Sequence, residues 1–139
     1  MSTTTIIDTG PLVSYLDRRE NNHLRIKKQF KELKVPLLTC EPVIVETCFI
    51  LGNLSPAIQE LGNWIGKGIL KIDFSLHYNH DRVFPLMKKY RNLPMSLADA
   101  CLVSIYESSE NSRIFTLDHH FEIYRTPSRR IIRTIGLEK

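Results

Sequence analysis

The stretch TTTIIDTGPLVSYLDRR, Thr3–Arg19, changes character partway along. Thr3, Thr4, Thr5, Ile6 and Ile7 are β-branched, and such residues favour a pleated, half-buried strand. Gly10 and Pro11 break that run, and the apolar segment beyond them suits a helix. A strand that ends on Asp8 and turns at once into a helix is the first half of a βα unit.

The alternation continues along the chain. NHLRIKKQFKEL places Leu24, Phe30 and Leu33 at helical spacing with Lys and Arg between them. VPLLT reads as a second strand. A third helix is expected from Glu41, with Thr39 as its cap and Pro42 in its first turn, where proline is tolerated. SPAIQELGNWIGKG has a Ser-Pro start and a glycine-rich stop, and ILKIDF reads as a third strand. HYNHDRVFPLMKKYRNL is helical in pattern, but Pro85 should kink it or delay its start. SLADACLVSIYESS is an apolar helix with Ser96 as its cap, RIFTLD a fourth strand and RRIIRTIGL a fifth. Strands alternating with helices imply an α/β fold with a mostly parallel sheet.

The totals set the frame. The chain has 139 residues, 42% hydrophobic and 24% charged, which fits one globular domain spanning 1–139. No apolar stretch has the length of a membrane span, and MSTTTIID lacks a basic segment followed by an apolar signal region. The three cysteines, Cys40, Cys48 and Cys101, form no C-x-x-C pair and lie in apolar surroundings, so they read as small core residues. A cytoplasmic protein without a membrane partner is expected. The 19 Lys and Arg against 15 Asp and Glu give a net charge of +4, a mild lean towards an anionic partner.

Four acids keep unusual company. Asp8 closes the first strand after two isoleucines. Glu46 interrupts the apolar run PVIVETCFIL, Asp99 lies in SLADACLV, and Asp118 follows IFTL. An ionised carboxylate removed from water without a partner costs several kcal/mol or more, so Glu46 either turns outward or is compensated. Asp8 and Asp118 would both reach the carboxyl ends of parallel strands, where open α/β sheets hold their ligands. Carboxylates gathered in one pocket raise each other's pKa unless a cation is present. An all-oxygen set without Cys or His at ligand spacing suits a hard ion, Mg²⁺ or Mn²⁺. For each acid taken singly, a helix cap or a local ion pair is an equally good account. Together they favour a metal floor, and the basic remainder of the chain suits a polyanion whose phosphate meets the metal.

With these residues in view, the chain resembles the PIN-domain family, and within it the small VapC-type toxin ribonucleases. The resemblance is carried by IIDTGPLVSYLD with Asp8, by Glu46 on its helix, by YRNLPMSLADACLVSIYE with Asp99, and by IFTLDHHF with Thr116, Asp118 and Phe121. It implies a three-layer sandwich, a mostly parallel central sheet flanked by helices. It implies a Mg²⁺- or Mn²⁺-dependent endoribonuclease with Asp8, Glu46, Asp99 and Asp118 as metal-binding and catalytic residues. The products would carry a 5′-phosphate and a 3′-hydroxyl. Its partners would be RNA, a second copy in a homodimer, and a small antitoxin whose tail occupies the active-site groove. Ser96 stands where some relatives carry a further acid.

Thr9 and Thr116 place hydroxyls beside the acids. They either orient the carboxylates or are simply β-branched residues at strand ends. His77 and His80, three apart, lack a third nitrogen or sulfur ligand and read as solvated, while His119 and His120, directly after Asp118, read as an exposed turn with a substrate contact as the alternative. Trp64 reads as core or dimer interface. Lys88–Arg91 and Arg125, Arg129, Arg130 and Arg133 are candidate phosphate contacts or merely a solvated charged face. A receiver-like phosphoacceptor is disfavoured because the first strand lacks paired acids and the late strand lacks a Lys. A dehalogenase-type phosphatase is disfavoured because Gly10 occupies the second Asp of Asp-x-Asp. A PIN-fold binding module that no longer cleaves, and a nuclease with no toxin role, stand as the alternatives.

Overall fold

The computed structural model describes residues 3–138. Residues 1, 2 and 139, which the expected single domain includes, lie outside the described residues. The strands are β1 (Thr4–Ile7), β2 (Leu37–Leu38), β3 (Leu70–Lys71), β4 (Ser112–Phe115) and β5 (Thr134–Ile135). They form one sheet in the order β3-β2-β1-β4-β5, and every strand pairing in it is parallel. In the central pair, Ile6 lies opposite Ile114 and Ile7 opposite Phe115. All four are fully buried, as a parallel sheet covered on both faces requires.

The chain lays down β1, β2 and β3 in one direction, then returns past β1 to add β4 and β5. The strand order therefore reverses between β1 and β4. At such a switch point the connections leave the carboxyl ends of the two strands on opposite sides, and a crevice opens between them. Asp8 follows the last residue of β1, and Thr116 to Asp118 follow β4.

The helices are α1 (Thr9–Leu16), α2 (His23–Phe30), α3 (Glu41–Leu51), α4 (Ser55–Gly66), α5 (Leu76–Lys89) and α6 (Leu97–Ser108). The apolar segment read from SLADACLV becomes α6, which is buried from Ala100 to Tyr106 and packs on β1, β4, α3 and α5. Ser96 caps it as expected, its hydroxyl accepting the Asp99 N–H at 3.0 Å. Trp64 is core: its ring packs on Tyr15 and Phe30, and its N–H donates to Glu60 at 2.7 Å.

Three local expectations are corrected. The cap of α3 is Cys40, not Thr39, because the Thr39 hydroxyl donates to the Ile7 carbonyl at 2.8 Å and ties β2 to β1. On α2 the buried residue is Ile26, whereas Leu24 is 80% exposed and Leu33 lies beyond the helix end. This short helix packs on α1 along one edge, so a single turn reaches the core. Pro85 does not delay α5, which starts at Leu76 with Ser75 as cap. Pro85 lies on the exposed side, and so does Asp81, whose carbonyl loses its helical donor to the proline and is left to water.

The C-terminal strand closes on the site through Gly136, whose φ is +99°. A Cβ there would meet the Thr116 carbonyl oxygen at 2.7 Å and the Phe115 ring at 2.8 Å. Gly136→Ala is therefore expected to destabilise the fold by about 1–3 kcal/mol through backbone strain and the clash. Urea denaturation checks this, and an unchanged midpoint would show that the close approach is not required.

Candidate active site

Asp8 extends the β1–β4 ladder, its N–H donating to the Phe115 carbonyl at 2.9 Å. Its side chain then caps α1. Oδ1 accepts the Thr9 N–H at 2.8 Å, and Oδ2 accepts the Thr116 hydroxyl at 2.7 Å. The Thr116 hydroxyl in turn accepts the Asp118 N–H at 3.0 Å, so one threonine joins the ends of both strands. Thr116 thus has the orienting place considered for it. Thr9 acts on Asp8 through its backbone, while its buried hydroxyl has no partner among the described residues.

Asp99 is half-buried in the first turn of α6, and its Oδ2 accepts the Tyr124 phenol at 2.9 Å. Asp118 caps the short 3-10 helix His119–Glu122, accepting the His120 N–H at 2.9 Å. Helix N-termini carry partial positive charge, so the starts of α1 and α6 favour the carboxylates placed there. Helix capping, the plain account of each acid taken singly, therefore holds for Asp8 and Asp118 and coexists with their gathering.

They do gather. Asp8, Glu46, Asp99 and Asp118 all line one cleft of about 540 Å³, with Ser14, Glu20, Asn22 and Leu117 among its other walls. Among the described residues no Lys or Arg lines it, and the His120 imidazole lies 3.4 Å from Asp118 Oδ1. Burial pushes the Asp8 carboxyl up to about 7, the Thr116 and Thr9 bonds acting against it and the charges of Asp99 and Glu46 with it. Asp99 is also raised, first by burial and then by the charges of Asp118 and Glu46, against the bond from Tyr124.

Glu46 resolves differently from Asp8. It is exposed, on the cleft wall, and its apolar neighbours are exposed with it: Val45 is 69%, Phe49 85% and Ile50 53% accessible. The oddity in PVIVETCFIL is thus an apolar surface around an acid, not an acid in the core. Glu46→Gln is accordingly expected to leave melting in EDTA unchanged while weakening Mg²⁺ binding. A large loss of metal-free stability would contradict this placement.

The donor chemistry fits a hard divalent cation. The set is oxygen only, two of its carboxyls are held above their ordinary range, and among the described residues no Lys or Arg lines the cleft to offset them. Among the described residues no three acidic, imidazole or thiol side chains are arranged to hold one ion directly. Mg²⁺ dehydrates reluctantly and is commonly bound by one or two carboxylates with the rest of its shell water and phosphate.

Three of the candidate phosphate contacts, Arg125, Arg130 and Arg133, make bonds within the fold. Arg125 donates to the carbonyls of Glu122, Ile123 and Tyr124, Arg130 pairs with Glu107 at 3.2 Å, and Arg133 bonds Asn111 and Ser112. Arg18, Arg19, His23 and Lys27 instead line a neighbouring hollow between α1, α2 and α4. Another hollow, about 850 Å³, is mostly apolar, lined by Val45, Phe49, Phe74 and Leu97, and shares only Glu46 with the acidic cleft.

Sequence reasoning missed Tyr124 and Glu20. Glu20, in the polar stretch after DRR, carries no apolar neighbour to single it out; it is exposed and lines the cleft. Tyr124 has only its spacing to mark it, three residues beyond Phe121, and nothing in that spacing shows that it faces Asp99.

A parallel α/β sandwich with an acidic cleft at its switch point is the PIN-like architecture that the sequence resemblance implied. No protein-family model matches the chain, and no curated protein sequence matches it. Among solved structures it is similar to VapC20 of Mycobacterium tuberculosis, described as a sarcin–ricin loop cleaving toxin. The two superpose with a TM-score of 0.72 over 84% of this chain and 91% of that one, at 11% sequence identity. The likeness establishes the fold.

Proposed function

We propose that this chain is a Mg²⁺- or Mn²⁺-dependent endoribonuclease that acts as the toxin of a type II toxin–antitoxin pair. The observation that carries the reading is the convergence of Asp8, Glu46, Asp99 and Asp118, from four separate parts of the chain, on one cleft at the β1–β4 switch point. The fold shared with VapC20, itself an RNA-cleaving toxin, supports RNA as the substrate class.

When bound, the cation would acidify an attacking water and offset the charge that builds on the phosphate. Asp8 and Asp99 are the proposed direct ligands, because each is oriented by hydrogen bonds before any ion arrives. Glu46 and Asp118 are more open to solvent and are proposed to hold and orient water on the substrate side. Thr116 keeps Asp8 and Asp118 in register. In-line attack would leave a 5′-phosphate and a 3′-hydroxyl.

The same proposal includes a cytoplasmic location, a homodimer and an antitoxin. No helix among the described residues is long and apolar enough to cross a membrane. Val45, Phe49 and Ile50, exposed beside the cleft, support a protein partner on α3, since clustered exposed apolar side chains mark interaction surfaces.

The test is incubation of the purified chain with structured and single-stranded RNA in Mg²⁺, Mn²⁺ or EDTA. Discrete cleavage in either metal, none in EDTA and 5′-phosphate ends are expected. Binding of RNA without cleavage in any metal would replace this reading with that of a binding module.

A further inference from the structure

We propose that Tyr124 is a positioning residue of the acidic site, its phenol fixing the Asp99 carboxylate for cation binding. The inference rests on Asp99 being a cation ligand, as proposed above, and goes beyond it in assigning a second residue to hold that ligand.

Tyr124 is fully buried, and its hydroxyl donates to Asp99 Oδ2 at 2.9 Å across 25 residues of sequence. A buried phenol requires a partner, and this one has taken a carboxylate in the cleft, not a backbone carbonyl. The ring cannot swing away. Phe121 meets it edge-on at 5.2 Å and Tyr90 packs on it at 5.1 Å. Tyr90 is itself pinned, its hydroxyl accepting the Arg125 N–H at 2.9 Å. The Tyr124 N–H donates to the His120 carbonyl at 3.0 Å, which anchors the backbone to the turn that Asp118 caps.

One short segment therefore supplies both a carboxylate of the cleft, Asp118, and the donor that holds another, Asp99. A carboxylate on a helix has free rotation about its terminal bond unless something stops it. The phenol ties one oxygen and so sets the plane in which the other faces the cleft. Outer partners of this kind typically alter metal affinity about 10–100-fold when removed.

The experiment is calorimetric titration of Mn²⁺ into wild type, Tyr124→Phe, Tyr106→Phe and Asp99→Asn, with thermal melting of each in EDTA. Tyr124→Phe keeps the ring and removes only the donor. It is expected to weaken Mn²⁺ binding by about 10–100-fold. Tyr106→Phe removes a buried phenol that donates to the Ile131 carbonyl, accepts the Arg133 N–H and does not touch Asp99, and it should bind Mn²⁺ as wild type does. Wild-type affinity in folded Tyr124→Phe overturns the positioning role alone. Equal losses in Tyr124→Phe and Tyr106→Phe also overturn it, since the cause would then be a general loosening of the fold. Wild type that binds no Mn²⁺ overturns both this role and the cation site beneath it.

Discussion

Asp8→Asn and Asp99→Asn are each expected to reduce metal-dependent RNA cleavage by a factor of about 10³ or more while leaving the fold intact. The magnitude follows from the loss of electrostatic stabilisation at the reacting phosphate, where removing even one neutral donor from such a site costs roughly 10²–10³. Asn retains the shape of Asp but carries no charge, so it supplies a weaker ligand and offsets less of the cation's charge. At position 8 the amide oxygen can still accept one of the two bonds now made by Thr9 and Thr116, and the Thr116 hydroxyl can reverse to accept from the amide. Circular dichroism should therefore stay native. Expressed without a partner, the wild-type chain should arrest bacterial growth and Asp8→Asn should not. Cleavage at wild-type rates in either variant would remove that residue from the site. Equal growth, with soluble protein from both genes, would remove the toxin role and leave the nuclease.

The architecture was largely open to reading because its strands and helices differ in local pattern. β1 is marked by its β-branched run and α6 by its unbroken apolar face, and both carry that pattern because burial demands it. Asp8 and Asp99 were visible for the same reason, as charges where burial would otherwise select apolar side chains, and Asp118 by its place directly after a buried strand. Glu46 was found by the same signal for a different cause: its apolar neighbours are surface residues, which local composition does not separate from core. What escaped was contact between distant segments. Thr39 bonds a neighbouring strand instead of capping a helix, and Tyr124 meets Asp99, both outcomes decided by packing. Counting arginines likewise does not show that Arg125 bonds its own loop, Arg130 pairs with Glu107 on α6 and Arg133 bonds the edge of β4.

The metal-free protein should lose stability as pH rises from about 4 to about 7, and Asp8 should be the main cause. Its carboxyl stands at about 7 in the fold against 3.8 for the ordinary group. Below both values the residue is protonated in folded and unfolded chains alike, and burial carries no charge penalty. As pH rises, the unfolded chain releases its proton first, so the folded state binds more protons and unfolding becomes easier. The fall ends once the folded carboxyl has ionised as well. Each pKa unit corresponds to about 1.4 kcal/mol, so the penalty at pH 8 is on the order of 4 kcal/mol. Asp99, shifted in the same direction, deepens it. Mg²⁺ acts in the opposite sense, because it binds the ionised folded site: a hundredfold excess over its dissociation constant restores about 2.7 kcal/mol by mass action. Asp8→Asn cannot ionise, so in EDTA its stability should fall much less over this range, and at pH 8 it should exceed wild type despite one imperfect hydrogen bond. Urea denaturation of both proteins from pH 4 to pH 8, with EDTA and with Mg²⁺, measures all of these differences. Parallel pH profiles for wild type and Asp8→Asn in EDTA would show that Asp8 enters the fold already ionised, and that the cleft lacks the charge strain on which cation binding is argued.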